Sequence, residues 1–182
     1  MSRPAFIIDG FTEKLIIQRI CPGSPINRTD LNGKTVSIDA MTKKIASLIR
    51  LFGNRYYPII ILIDKEQRKQ PFDIIAKELE IKLIAEGVKD NCLIGVADRM
   101  LENWIIADWD CLQVDEKKPT KTEGSNGASH IKKVKGVYNK TTDGVELFLA
   151  ANPETIYEKS ESFKYFVDKL KEVDCNFLNF SK

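Results

Sequence analysis

The sequence predicts an α/β protein with a central, mostly parallel sheet flanked by helices and a helical C-terminal extension. Short strands that are apolar on both faces alternate with amphipathic helices in the first half of the chain. Such strands are typical of a parallel sheet that helices cover on both sides. After residue 114 the pattern changes to polar segments and helices, which predicts the extension.

The predicted elements follow one another in a regular order. Strands are expected at Ala5–Ile8, 34–39, Ile59–Asp64 and 91–98, with apolar runs that end at Gly or Asp residues. Helices are expected at 12–20, 41–52, 72–83, 100–112, 142–151 and 160–173, from the spacing of apolar residues. Segments 21–33 and 115–130 are rich in Pro, Gly, Asn or Ser, so both are predicted to be loops.

The length of 182 residues favours one domain. We divide it into an α/β core at 1–114 and a basic loop with a helical extension at 115–182, packed on the same domain. The formal net charge is +2, so a polyanion would have to be bound by a local patch. No apolar stretch approaches the ~20 residues that span a bilayer, and no signal-like segment is visible. We therefore expect a cytoplasmic protein without a membrane partner.

The cysteines argue against a structural zinc site. The four residues, at 21, 92, 111 and 175, include no C-x-x-C pair, and His130 is the one histidine. Single cysteines on apolar segments are typical of small buried side chains in a reducing compartment. We therefore expect unpaired cysteines.

Acidic residues follow three of the predicted strands. Asp9, Asp64 and Asp98 each stand where a strand ends, and functional crevices of parallel sheets lie at that edge. Glu13 and Glu102 each follow an aspartate by four residues, and Glu66 lies two residues after Asp64 in an extended segment that places both acids on one side. Crowded carboxylates are costly without a cation, so the pattern predicts a Mg²⁺ site, with Mn²⁺ as the alternative.

Each residue also has an ordinary structural explanation. Asp9-Gly10 is most often a turn, and Glu13 is favoured in the first turn of a helix by the dipole. Glu102 and Asp108 could simply lie at the surface or at a helix end. Trp104 and Trp109 suit a core better than a base-stacking surface, and His130 suits an exposed loop. The joint placement of the acids at strand ends favours function over these single explanations.

Two motifs resemble a known family. "IIDGFTE" and "ILIDKE" are similar to the E-G-x-[ST]-E and D-x-D motifs of TOPRIM domains, which occur in topoisomerases, primases and nucleases of the overcoming-lysogenisation-defect type. "DRMLENWIIAD", "GVYNKTTDG" and "SESFKYFVDKL" resemble segments of a small TOPRIM-like family associated with anti-phage defence loci. Asp9 is one methylene shorter than the usual Glu, and Glu66 one longer than the usual Asp.

The resemblance implies a Rossmann-like TOPRIM fold and a Mg²⁺-dependent endonuclease acting on DNA or RNA in bacterial defence. It implies a metal held by Asp9, Asp64 and Glu66, with Glu13 and Glu102 completing the catalytic set. The partners implied are nucleic acid and an ATPase, and a homodimer stays open.

The lysine-rich segment that follows residue 116 offers a complementary surface. Lys132, Lys133 and Lys135 are expected to bind the substrate backbone, although a solvated loop explains them equally well. Lys65 is expected to point away from Asp64. The alternative to a nuclease is a catalytically weak or inactive TOPRIM-like module that binds nucleic acid or protein, and the exchanged acids at 9 and 66 motivate it.

Overall fold

The computed structural model describes residues 3–31, 36–171, 173 and 175. Within them a four-stranded parallel sheet has the strand order β2-β1-β3-β4. The strands are β1 (Ala5–Ile8), β2 (Ile26–Arg28), β3 (Ile59–Asp64) and β4 (Cys92–Ala97). The helices are α1 (Phe11–Ile20), α2 (Ile38–Phe52), α3 (Phe72–Ala85), α4 (Glu102–Ala107), α5 (Gly127–Lys135), α6 (Asp143–Ala150), α7 (Pro153–Lys159) and α8 (Glu161–Asp168). The predicted fold class is confirmed.

The strand order creates a switch point between β1 and β3. From β1 the chain passes through α1 to β2 on one side, and from β2 it returns through α2 to β3 on the other side of β1. The register pairs Ile8 of β1 with Leu62 of β3, so both strands end at the same edge. In open α/β sheets, ligands bind outside the carboxyl ends of the strands at such a point.

Two separate apolar clusters cover the two faces of the sheet. Alternate residues of β1 and β3 point to opposite clusters, because successive side chains of a strand alternate between faces. Helices α2 and α3 pack on one face, while α1, α4 and the helices of the C-terminal third pack on the other. Trp104 is fully buried in the second cluster, 5.0 Å from the Phe163 ring centroid. It is a core residue, as the sequence favoured.

Two predicted elements between α1 and α2 need correction. β2 lies within the segment 21–33, which the Pro and Gly content had suggested to be loop; its three half-buried residues carry no apolar pattern. The predicted strand at 34–39 is wrong for its described residues, because 36–37 precede α2 and 38–39 belong to it. Ser37 caps that helix by accepting a hydrogen bond from the N–H of Ala40.

The C-terminal half is also more helical than expected. α5 begins inside the predicted loop 115–130, where the Asn126 side chain accepts a hydrogen bond from the Ser129 N–H. α7 was not predicted at all; Asn152 caps it and Pro153 occupies its first turn. The expected helix at 100–112 is divided into α4 and a 3₁₀ turn, Trp109–Leu112. Part of the predicted helix 160–173 lies outside the described residues.

The cysteines differ from expectation as well. Cys21 and Cys175 form a disulfide with Cα atoms 5.2 Å apart, while Cys92 and Cys111 are free. The two paired residues are separated by 154 positions, so no local spacing could reveal the pair. Among the described residues, no helix is both long enough and apolar enough to cross a membrane.

We expect Gly95→Ala to be one of the most destabilising single substitutions in the sheet. A Cβ at Gly95 would lie 2.2 Å from Cδ2 of Phe166, which packs α8 against β4. Overpacking of a core typically costs about 1–3 kcal/mol, and a contact this short places the change at the upper end. Urea denaturation followed by circular dichroism measures the loss, and a midpoint equal to that of wild type would contradict this packing.

Candidate functional site

Asp9 and Asp64 meet at the switch point of the sheet. Asp9 directly follows β1, and Asp64 is the last residue of β3. The Asp9 carboxylate accepts a hydrogen bond from the Asp64 backbone N–H at 3.1 Å and another from the Thr29 hydroxyl at 2.7 Å. Because Thr29 follows β2, Asp9 joins the ends of three neighbouring strands. Both of its oxygens already have a partner.

Glu13 turns back toward this edge from the first turn of α1. Its side chain is buried, and its Oε2 lies 2.7 Å from the position that a Cβ on Gly10 would occupy. Glycine at position 10 therefore provides the space for the carboxylate of Glu13. The Asp9-Gly10 pair forms a strand-to-helix turn, which was its ordinary structural explanation. The same glycine also makes room for a second acid, Glu13.

Glu102 approaches the same place from the start of α4. Its side chain is 4% exposed, and its Oε1 accepts a hydrogen bond from the Tyr138 hydroxyl at 3.2 Å. The Lys140 ammonium lies 3.1 Å from the same oxygen. Gly127 lets the start of α5 pack closely on α4, because a Cβ there would lie 2.5 Å from the backbone carbon of Glu102. The acid edge thus consists of Asp9, Glu13, Asp64 and Glu102, with Lys140 as the cation in contact.

Three carboxyl groups of the acid edge, those of Asp9, Glu13 and Asp64, have raised pKa values. Burial raises the pKa of Asp64 well above its usual range, and repulsion from Glu13, Asp9 and Glu102 raises it further. Burial also raises the pKa of Glu13, with added repulsion from Glu102 and Asp9. For Asp9, burial outweighs the hydrogen bonds from Thr29 and Asp64 that favour the charged form. One ammonium does not balance four carboxylates.

Lys140 and Tyr138 respond to the same field. Burial lowers the pKa of Lys140, but the carboxylates of Glu102, Asp64 and Glu13 outweigh it, so the net shift is upward. Burial and the adjacent Glu102 raise the pKa of the Tyr138 phenol. Lys140 therefore remains charged at neutral pH and Tyr138 remains a hydrogen-bond donor.

The donor set at the acid edge fits a hard divalent cation in its chemistry. Within the described ranges, no group of three or more His, Cys, Asp and Glu side chains is arranged to hold a metal ion. Mg²⁺, however, usually takes one or two protein carboxylates and keeps several waters. No described residue donates a hydrogen bond to the carboxylate of Asp64, and its strongest charged neighbour is Glu13. This pair offers ligands of the kind that Mg²⁺ prefers.

Glu66 lies outside the acid edge, in contrast to the sequence expectation. β3 ends at Asp64, and Glu66 has a left-handed backbone with φ of 58° in the turn that follows. The alternation of an extended strand therefore does not continue to Glu66, although its charge still contributes to the raised pKa of Asp9. Lys65 pairs with Asp98, and its Nζ lies 2.6 Å from Oδ1 of that residue. Asp98 is therefore paired and does not join the cluster.

The other candidate residues occupy different surroundings. Lys132 and Lys133 are exposed on α5 rather than in a loop, and the Lys135 ammonium donates to the carbonyl of Leu112 at 3.2 Å. His130 lies on the same helix and is partly exposed. Asp108 is buried and accepts a hydrogen bond from the N–H of Asn152, so it holds the start of α7. Trp109 is buried and donates to the Glu116 carbonyl.

Three residues at this edge were not identified from the sequence as its members. Thr29 follows a strand that has no apolar pattern, and Tyr138 lies in a turn before α6. Lys140 was visible only as one of many lysines in a basic segment. No local spacing in the sequence identifies these residues, because each reaches the acids through a tertiary contact.

Gly10→Ala tests the geometry of the acid edge without a large cost to the fold. The backbone φ of −120° suits any residue, and a glycine-to-alanine change at a helix N-cap costs roughly 1 kcal/mol or less. The new methyl group must displace the Glu13 carboxylate. We expect Mn²⁺ affinity, measured by isothermal titration calorimetry, to fall about tenfold, with the melting temperature nearly unchanged. Unchanged affinity would show that Glu13 takes no part.

Fold and site together define a Rossmann-like α/β protein with an acidic cluster at the switch point of its sheet. The model of a family described as a domain of unknown function, DUF4276, matches residues 5–171. The chain belongs to the DUF4276 family. No curated protein and no solved structure matches it.

Proposed function

We propose that the protein is a Mg²⁺-dependent nuclease that hydrolyses phosphodiester bonds in DNA or RNA. The observation that carries this proposal is the acid edge at the switch point of a parallel sheet. It holds four carboxylates, and those of Asp9, Glu13 and Asp64 have raised pKa values, with Lys140 as the cation in contact. The order of the acidic motifs also resembles that of TOPRIM nucleases, which act through carboxylate-bound Mg²⁺.

The side chains of the acid edge would divide the work as follows. Asp64 and Glu13 would hold the cation, and Asp9, whose oxygens are engaged by Thr29 and by the Asp64 N–H, would orient the end of β3. Glu102 would keep Lys140 in place, and the half-exposed ammonium of Lys140 would offer a positive charge to phosphate oxygens. When bound, the metal supplies an activated water and neutralises developing charge.

The biological setting is part of the proposal and rests on the resemblance. We propose a role in bacterial anti-phage defence, with an ATPase that recruits or restrains the nuclease and with nucleic acid as the substrate in the cytoplasm. A Cys21–Cys175 disulfide is unusual for that compartment. Lys132 and Lys133, exposed on α5, would contribute general attraction for the phosphate backbone.

A second candidate function is a TOPRIM-like module that binds nucleic acid or protein without cleaving it. Two observations favour it. Both oxygens of Asp9 already accept hydrogen bonds, and Glu66 lies beyond the acid edge instead of completing a D-x-E pair of ligands. A weak metal site would be the consequence.

A cleavage assay separates the two functions. Purified protein is incubated with plasmid DNA and with tRNA, in Mg²⁺ or Mn²⁺ and in parallel with EDTA. The nuclease proposal expects cleavage that depends on the metal. Binding of either substrate without cleavage under every condition, also with an ATPase encoded beside it, would favour the binding module.

A further inference from the structure

A cleft of about 320 Å³ opens beside the acid edge, in the turns that follow β3 and β4. Burial is the largest influence on the pKa of Asp9 and raises it. The charge of Arg68 lowers this pKa, and the charge of Glu66 raises it. These two side chains therefore lie within electrostatic range of Asp9, and Lys65 and Glu66 of the cleft follow Asp64 directly in the chain. The cleft is lined by Lys65, Glu66, Gln67, Arg68, Arg99 and Gly124.

Two arginines provide the available positive charge of this cleft. Arg68 is fixed by hydrogen bonds to the carbonyls of Asp64, Lys65 and Val36. Arg99 makes one long hydrogen bond, of 3.4 Å, to the Gly124 carbonyl. Among the described residues no carboxylate lies within ion-pair distance of either guanidinium group. The third cation, Lys65, is already neutralised by its ion pair with Asp98.

The backbone around the cleft is built in an uncommon conformation. Glu66, Arg99 and Gly124 all have positive φ, at 58°, 79° and 71°. The N–H of Glu66 donates to the carbonyl of Arg99 at 2.8 Å, which joins the two turns. Non-glycine residues are rarely left-handed, and such residues cluster at ligand sites. Arg99 and the fixed Arg68 both line the cleft that these turns form.

We propose that this cleft binds a backbone phosphate next to the one that is cleaved, with Arg99 as the contact that reaches the phosphate and Arg68 as the fixed charge behind it. This inference rests on the proposed nuclease function, because it names how the substrate is held. Arginine presents a planar fork that matches phosphate oxygens. A strand with one phosphate at Asp64 extends past this cleft, since both lie at the same edge of the sheet.

The proposal is tested by measuring how one substitution in the cleft changes the binding and the cleavage of oligonucleotides. Arg99→Gln keeps a polar, hydrogen-bonding side chain, although a shorter one, and removes its charge. Arg19→Gln is the matched control, because Arg19 is exposed in the last turn of α1, away from the edge where the strands end. Affinity for fluorescein-labelled single-stranded DNA and RNA oligonucleotides is measured by anisotropy in Ca²⁺ across a salt series. Cleavage of the same oligonucleotides is measured in Mg²⁺.

We expect Arg99→Gln to weaken binding about tenfold and to reduce the slope of log affinity against log salt by about 1, with Arg19→Gln close to wild type. Comparison of the affinities for the DNA and the RNA oligonucleotides shows which sugar-phosphate backbone the cleft binds. Cleavage and binding by Arg99→Gln equal to wild type would overturn this inference and leave the nuclease proposal standing. Binding that weakens as expected without any cleavage by wild type would support the cleft and overturn the chemistry. No binding by wild type would overturn both.

Discussion

Asp64→Asn is expected to abolish metal-dependent cleavage. Asparagine has nearly the same size as aspartate, and the backbone N–H at position 64 can still donate its hydrogen bond to the Asp9 carboxylate. The end of β3 should therefore retain its shape. It removes a carboxylate of the acid edge that no described residue engages by a hydrogen bond or an ion pair. Loss of residues that only support a metal ligand costs about 10- to 100-fold, so loss of a ligand should cost at least about 100-fold.

Asp115→Asn is the matched control for this substitution. Asp115 is exposed and makes no hydrogen bond or ion pair with any described residue, so its exchange leaves the acid edge intact. Initial rates in Mg²⁺ and in Mn²⁺ compare the three proteins. An Asp64→Asn protein that cleaves at the wild-type rate would remove Asp64 from the mechanism.

The second large effect is a loss of stability with rising pH when no metal is present. The pKa values of Asp9, Glu13 and Asp64 are raised in the folded protein, mainly by burial, above the ordinary values of about 3.9 for Asp and 4.3 for Glu. In the pH range between the ordinary and the raised values, the folded state holds more protons than the unfolded state. The free energy of unfolding therefore falls as pH rises through that range.

Melting temperatures in EDTA, from pH 4 to pH 8, measure this loss. Burial also raises the pKa of Glu123, which acts in the same direction, so the comparison with Asp64→Asn isolates the acid edge. At pH 8 the variant should melt several degrees above wild type, at about 2–4 °C per kcal/mol, and near pH 4 the two should coincide. Mn²⁺ should raise the melting temperature of wild type only. If the melting temperatures of wild type and Asp64→Asn changed in parallel with pH, repulsion at Asp64 would be contradicted.

The fold was predictable where hydrophobic pattern and structure coincide. β1, β3 and β4 are apolar runs of the kind that a buried parallel sheet requires, and each ends close to the expected residue. β2 was not predictable, because an edge strand of three half-buried residues needs no apolar pattern. α5 and α7 begin at asparagine caps within polar or short segments, where periodicity has too few turns to be visible.

The acidic residues of the candidate site were predictable from the sequence, but the residues that pair with them were not. Asp9, Glu13, Asp64 and Glu102 come together because strand ends and first helical turns meet at one edge. Glu66 lies in the turn after β3, because the strand ends at Asp64 and Glu66 itself is left-handed. Lys140 and Tyr138 come from a distant turn whose position depends on the packing of α6 against α1 and α4. Only the three-dimensional fold could bring them to Glu102.

The most direct test of the account is an anomalous diffraction measurement on crystals of the wild-type protein soaked in Mn²⁺. We predict a manganese peak at the acid edge, with an oxygen of Asp64 at about 2.0–2.6 Å from the metal and Glu13 or Asp9 beside it. The same soak of Asp64→Asn crystals should lose the peak. Crystals of wild type that show the four carboxylates ordered, with Lys140 still on Glu102 and no manganese between them, would contradict it.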